Sequence, residues 1–111
     1  NILLNYVDFL YNIVEYTGIS INVDKCDLDN NNVFYISPKT GNGISKELGE
    51  KYKNQLFLVP ECFVYFDNNV EEIIKEVNVL HYFIYKFCKE NNIVKKYKLI
   101  GIIYYAFIYF I

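Results

Sequence analysis

The sequence contains no methionine, only two prolines and three cysteines, and no excess of positive charge. Because no initiator methionine is present, we expect the 111 residues to be a processed protein or part of a longer one. The chain opens on an amphipathic stretch rich in Asn and Tyr, whereas a secretory signal peptide is basic and then uniformly apolar. Any targeting segment is therefore expected to have been removed.

The net charge of the chain indicates whether nucleic acid is an expected partner. The formal net charge is -2 and the pI is about 5.3. Proteins that bind nucleic acid neutralise phosphates with a basic surface, and such domains usually have a pI above about 9. The composition therefore predicts that nucleic acid is not a partner.

The residues that could carry chemistry are few and scattered. Cys26, Cys62 and Cys88 lack C-x-x-C spacing, which excludes a zinc knuckle and a vicinal redox pair. Free cysteines are usually buried, so Cys62 and Cys88 are expected to pack as small apolar groups. His81 has no evident nucleophile or carboxylate partner, and we expect it to be exposed or at an interface. No metal and no cofactor is predicted.

The sequence does contain enough apolar surface for one core, since 53% of its residues are hydrophobic and 21 are Tyr or Phe. Apolar residues at steps of three and four predict a first helix that ends at Thr17 and Gly18. Alternation over residues 19–23 predicts a half-buried strand, and residues 33–37 a second one. Ser45 is a predicted N-cap for a short helix that reaches about Tyr52.

The second half of the chain predicts one further strand and one clear helix. Residues 56–66 are almost wholly apolar, which is typical of a buried strand, and Pro60 must lie near its start. Residues 67–69 predict a hairpin turn. Residues 70–77 are either the returning strand or the start of a helix, because charged residues interrupt their pattern. An apolar stripe then predicts a helix over residues 79–90.

An uncharged tail begins at Leu99, ends at Ile111 and follows three lysines. As a helix it would measure about 20 Å, less than the ~30 Å hydrocarbon core of a bilayer. The sequence leaves two alternatives, a truncated transmembrane helix with a basic flank or a buried terminal strand or helix. We predict a domain over residues 1–92 and a basic linker with an apolar tail over residues 93–111.

Three stretches resemble the thioredoxin-like superfamily. Residues 21–27 (INVDKCD) resemble its strand with a Val-Asp-x-Asp-like turn, and residues 47–52 (ELGEKY) its short helix before a proline. Residues 58–69 (LVPECFVYFDNN) look like that proline, the strand it opens and the hairpin that follows. The resemblance implies an α/β fold, a thioredoxin-like three-layer sandwich with an apolar C-terminal extension. It is incomplete at its N-terminus, because the first strand and its C-x-x-C are missing.

The resemblance also implies a binding role. It implies a cis Val59–Pro60 bond and a groove in which Val59, Pro60 and Glu61 pair with an extended peptide by β-augmentation. Cys62 is a candidate reactive thiol, provided that its surroundings lower its pKa. This segment alone is not expected to be catalytic. It would be a disulfide oxidoreductase only with a C-x-x-C upstream.

The chain further resembles membrane-anchored relatives of protein disulfide isomerase and thioredoxin-like subunits of the oligosaccharyltransferase. This implies a location at the endoplasmic reticulum or another secretory-pathway membrane. One alternative is a structural subunit of a membrane or multi-protein assembly. Another is a GTPase-like fragment, because Asp24 with the Ser-x-Lys turn that ends at Lys39 resembles a guanine-recognition pair. The chain lacks the phosphate loop that such proteins need.

Overall fold

The computed structural model describes residues 2–60, 69–91 and 96–110, and it confirms the predicted α/β class. The finer description, a three-layer thioredoxin-like sandwich, is not confirmed. In chain order the elements are helix α1 (Ile2–Tyr16), strands β1 (Val33–Ile36) and β2 (Gly43–Ser45), helix α2 (Lys46–Gly49), a 3-10 helix (Glu50–Gln55), strand β3 (Phe57–Leu58), and helices α3 (Val70–Glu90) and α4 (Lys96–Phe110).

Helix α1 forms where the apolar stripe predicts it. Tyr6, Val7, Leu10 and Val14 are buried along one side, since residues three and four apart share a face. The helix ends at a glycine, because Gly18 has a φ of +82° that residues with side chains rarely adopt. The predicted first helix is therefore confirmed, with its end.

Helix α3 includes residues 70–77, for which the sequence allowed either a strand or the start of a helix. The side-chain oxygen of Asn69 accepts hydrogen bonds from the backbone N–H groups of Glu71 and Glu72, at 2.9 and 3.4 Å. These carboxylates lie in the first turn, where the helix dipole favours negative charge. Residues 70–77 are thus the helix start. Residues 67 and 68 of the predicted hairpin turn lie outside the described residues.

The sheet is small and antiparallel, with the strand order β2-β1-β3. Tyr35 of β1 lies opposite Ile44 on one side and Leu58 on the other. Gly41, at φ +79°, closes the β1–β2 turn, and its N–H donates to the Ser37 carbonyl over 2.8 Å. Ser45 ends β2 and caps α2, since its Oγ accepts from the Leu48 N–H over 3.3 Å. The predicted cap is confirmed.

Two strand predictions differ from the structure. Residues 19–23 have no regular secondary structure, although Ile19, Ile21 and Val23 pack against the core. Their alternation reflects half-burial against the core, and the segment lies beside the β1–β2 hairpin, where the Asn22 N–H donates to the Gly41 carbonyl over 3.2 Å. Of the predicted strand over residues 56–66, only Phe57 and Leu58 lie in β3, and residues 61–66 lie outside the described residues.

The core lies between the helices and one face of the sheet. Leu10 of α1, Leu80 and Phe83 of α3, and Ile36 of β1 are wholly buried. The tail forms α4, which adds Ile103 and Phe107 to the same core. The helices within the described ranges are all too short or too polar to cross a membrane. The division at residues 92 and 93 stays a prediction.

Candidate functional site in a groove between three helices

A groove of about 660 Å³ lies between α1, α3 and α4, and we call it the helical groove. Its walls are mainly apolar and include Ile2, Ile74 and Ile108. The polar residues in its lining are Tyr6, Asn78, His81 and Tyr104. Such a shape, with apolar walls and few polar groups, is typical of a binding site.

A hydrogen bond joins two of these polar residues, Tyr6 and His81. The Tyr6 hydroxyl oxygen lies 2.7 Å from Nε2 of His81, and both residues are buried. Tyr104 stacks on Tyr6 with ring centroids 4.9 Å apart and an angle of 10° between the planes. Phe107 meets Tyr6 edge-on at 4.9 Å. Tyr6 therefore links all three helices.

The environment of Tyr6 raises its pKa well above the usual tyrosine value. Burial is the largest cause, followed by the charge of Tyr104 and a hydrogen bond with it. The phenol consequently keeps its proton at neutral pH and serves as a fixed hydrogen-bonding group. The groove can hold an apolar group with a polar tip.

His81 was expected to be exposed or at an interface, and the exposed alternative is wrong, because the side chain is only 9% exposed. It lies four residues after Val77 and three before Ile84, both buried on α3. That spacing places it on the core side of the helix. This spacing can be read from the sequence. The contact with Tyr6 cannot, because Tyr6 lies 75 residues away in the chain.

The predicted peptide-binding residues fall at and beyond the end of β3. No peptide bond in the described ranges is cis, so the expected cis Val59–Pro60 bond is wrong. The Val59 N–H donates to the Phe34 carbonyl over 3.1 Å, and Pro60 is buried. Glu61 and Cys62 lie outside the described residues. The peptide-binding role of Val59, Pro60 and Glu61 and the reactivity of Cys62 stay predictions.

The described cysteines are free and buried, as the sequence predicts for Cys88. Burial raises the pKa of the Cys88 thiol, which keeps it protonated and unreactive. Within residues 2–60, 69–91 and 96–110, no three His, Cys, Asp or Glu residues are grouped so that they could hold a metal ion.

A second candidate surface combines lysines with exposed aromatic rings. Lys46 Nζ lies 5.3 Å from the centre of the Phe34 ring, a cation–π distance. Lys51, Tyr52 and Lys53 follow on the exposed 3-10 helix, where Tyr52 is 58% exposed. We call Phe34, Lys46 and these three residues the lysine–aromatic surface. The sequence-based prediction missed it, because a net charge does not show where lysines and aromatic rings lie together.

Known proteins give the context for these surfaces. The chain is 35% identical over 113 aligned residues to a protein of Orientia tsutsugamushi (strain Ikeda), across 93% of this chain and 46% of the relative. It is 29% identical over 93 residues to a protein of Rickettsia canadensis (strain McKiel), across 79% of this chain and 38% of the relative. Both are named DNA repair protein RecO. The chain spans less than half the length of these curated relatives. No protein-family model and no solved structure matches it.

These relatives correct several predictions made from the sequence. The assignment to the thioredoxin-like superfamily is wrong, and so is the function as a peptide-binding, disulfide isomerase-related module. The alternatives, a membrane-assembly subunit and a GTPase-like fragment, do not match either. The exclusion of nucleic acid conflicts with relatives named for DNA repair. The predicted endoplasmic reticulum location is wrong as well, because these relatives are bacterial and bacteria have no such organelle.

The errors have a physical cause. Short local patterns, such as an apolar strand opened by a proline, recur in many folds because they reflect backbone constraints common to all of them. A net charge near zero likewise says nothing about where the lysines lie.

Proposed function

We propose that this chain acts in DNA repair, as a segment of a RecO-like protein. The observation that carries the proposal is the 35% identity to a DNA repair protein RecO over 93% of the chain. The activity of the whole protein is part of the proposal, since the chain matches less than half of the relative.

Of the two candidate surfaces, the lysine–aromatic surface suits DNA better. DNA presents phosphates, which bind lysines, and unpaired bases, which stack on aromatic rings. Lys46 and Lys51 supply the charge, and Phe34 and Tyr52 the rings. Glu47 and Glu50 lie in the same segment, and Glu50 pairs with Lys53 over 3.7 Å, so the net positive charge of this surface is small. The helical groove is mainly apolar and does not suit phosphate.

A complementation experiment tests the proposal. A bacterial strain that lacks its RecO protein receives the full-length gene that includes this sequence, and survival after ultraviolet irradiation is measured. We expect survival to rise to the level of the parental strain, because a DNA repair protein is restored.

Two variants control this experiment. Lys89→Ala changes an exposed residue at the end of α3 and should restore survival as well as the unmodified protein does. Phe83→Asp places a charge in the core and should restore nothing, with little protein present. The proposal is overturned when the unmodified protein accumulates but survival stays at the level of the empty vector.

A further inference from the structure

Helix α4 is apolar on both its buried and its exposed sides. Ile103 and Phe107 face the core, at 5% and 6% exposure. The side away from the core carries Tyr105 and Ile102, which are 76% and 55% exposed. A helix at the surface of a globular protein normally has polar residues on the side away from the core. A helix that is apolar all round is normally buried all round.

Gly101 marks the same exposed side. A Cβ added to it would meet nothing within 4 Å, whereas one added to Gly43 would lie 2.3 Å from the Asn22 carbonyl oxygen. A glycine inside a helix costs about 1 kcal/mol relative to alanine. Nothing in the described part of the chain requires that cost at Gly101. Its absent side chain leaves a notch that lets another element approach the helix closely.

Gly101, Ile102 and Tyr105 together form what we call the α4 outer face. Tyr105 is four residues after Gly101 and three after Ile102, so the three residues share one face of the helix. The sequence carries no charge between Leu99 and Ile111. A charged or strongly polar partner would lose hydration here without gaining an ionic contact. The face therefore suits an apolar, uncharged element.

The length of the relatives indicates where that element comes from. The alignment covers 46% of the Orientia tsutsugamushi relative, which thus has more polypeptide outside the matched region than within it. We propose that the α4 outer face is covered by an apolar segment of the same longer polypeptide, outside these 111 residues, seated in the notch at Gly101. The proposal rests on the length of the relatives, and the complementation result does not affect it.

Thiol labelling of the full-length protein tests this proposal. Tyr105→Cys is made in a Cys62→Ser background, so that Cys62 does not react, and its rate of reaction with a maleimide reagent is measured. Tyr52→Cys in the same background is the reference, because Tyr52 is 58% exposed on the 3-10 helix. We expect Tyr105→Cys to react at least about tenfold more slowly, because a covered site reacts only after local opening.

The labelling rates distinguish an open α4 outer face, a face covered by a second copy and a face covered by the same polypeptide. Equal rates at the two positions would show an open face and overturn the proposal. Slow labelling that becomes fast on dilution, with a change from dimer to monomer by light scattering, would show that a second copy covers the face, and would overturn it too. Ile102→Cys repeats the measurement on the same face in case Tyr105→Cys does not fold. Slow labelling of a monomer at either position supports the proposal.

Discussion

Tyr6 is the residue on which the three-helix arrangement converges. Its hydroxyl group contacts His81 of α3, and its ring contacts Tyr104 and Phe107 of α4. It is 3% exposed, so a polar atom left without a partner at this site would be costly. The sequence marks Tyr6 as part of α1, but it does not mark the residue as the link between helices.

The contribution of the Tyr6 hydroxyl group to stability can be measured. Tyr6→Phe removes the hydrogen bond to His81 and keeps the ring, so we expect the free energy of unfolding to fall by about 1–2 kcal/mol. Urea denaturation followed by circular dichroism measures the change. Tyr16→Phe is the matched control, because Tyr16 is 93% exposed. Equal stability of the two variants would contradict the prediction.

The raised pKa of Tyr6 predicts a loss of stability at alkaline pH. Folding favours the protonated phenol, so the stabilisation is complete below the unfolded pKa of about 10 and is lost as the pH rises toward the folded pKa. We expect the melting temperature to fall above about pH 10. The decline should be shallower in Tyr6→Phe than in Tyr16→Phe. Parallel declines in a series of thermal melts would show that other groups cause it.

At the scale of elements, the helices follow their sequence signals more closely than the strands do. The backbone hydrogen bonds of a helix join residues four apart, so local signals are sufficient to predict one. These signals are the apolar stripes of α1 and α3 and the N-cap Ser45 of α2. A strand needs a partner from elsewhere in the chain. Residues 19–23 have the alternation of a strand and lie beside the β1–β2 hairpin, but they do not join its sheet, and the sequence could not show that.

The β1–β2 hairpin depends on a glycine for a steric reason. A Cβ at Gly43 would lie 2.3 Å from both the Asn22 carbonyl oxygen and a methyl group of Val33, closer than real contacts allow. We expect Gly43→Ala to lower the free energy of unfolding by about 1–3 kcal/mol, the usual cost of overpacking. Asn42→Ala changes the exposed neighbouring residue and should have little effect in the same urea titration. An unchanged midpoint for Gly43→Ala would mean that the loop at Asn22 shifts freely.

At the scale of the whole molecule, the proposed DNA contact makes a prediction about salt. Replacing Lys46 and Lys51 by alanine together takes two cations from the lysine–aromatic surface. We expect weaker binding of labelled oligothymidylate and a salt slope reduced by about 0.7 for each phosphate that a lysine no longer neutralises. Fluorescence anisotropy at several salt concentrations measures both. The double variant Lys75→Ala, Lys89→Ala has the same net charge on another helix, and identical slopes for the two would place the DNA contact elsewhere.

The sequence by itself determined the α/β class, the bounds of α1, the cap of α2 and the helical stripe of α3. Each of these depends on residues within a few positions of one another, because hydrogen bonds and side-chain spacing along a helix are local. The tertiary structure alone decided that Tyr6 meets His81, that the lysine–aromatic surface exists, and that α4 has an apolar face pointing outward. Those features join residues from distant parts of the chain or depend on which side of a helix the core occupies. The prediction of no nucleic-acid partner used the net charge of the whole chain. A net charge does not show where the eleven lysines lie on the surface.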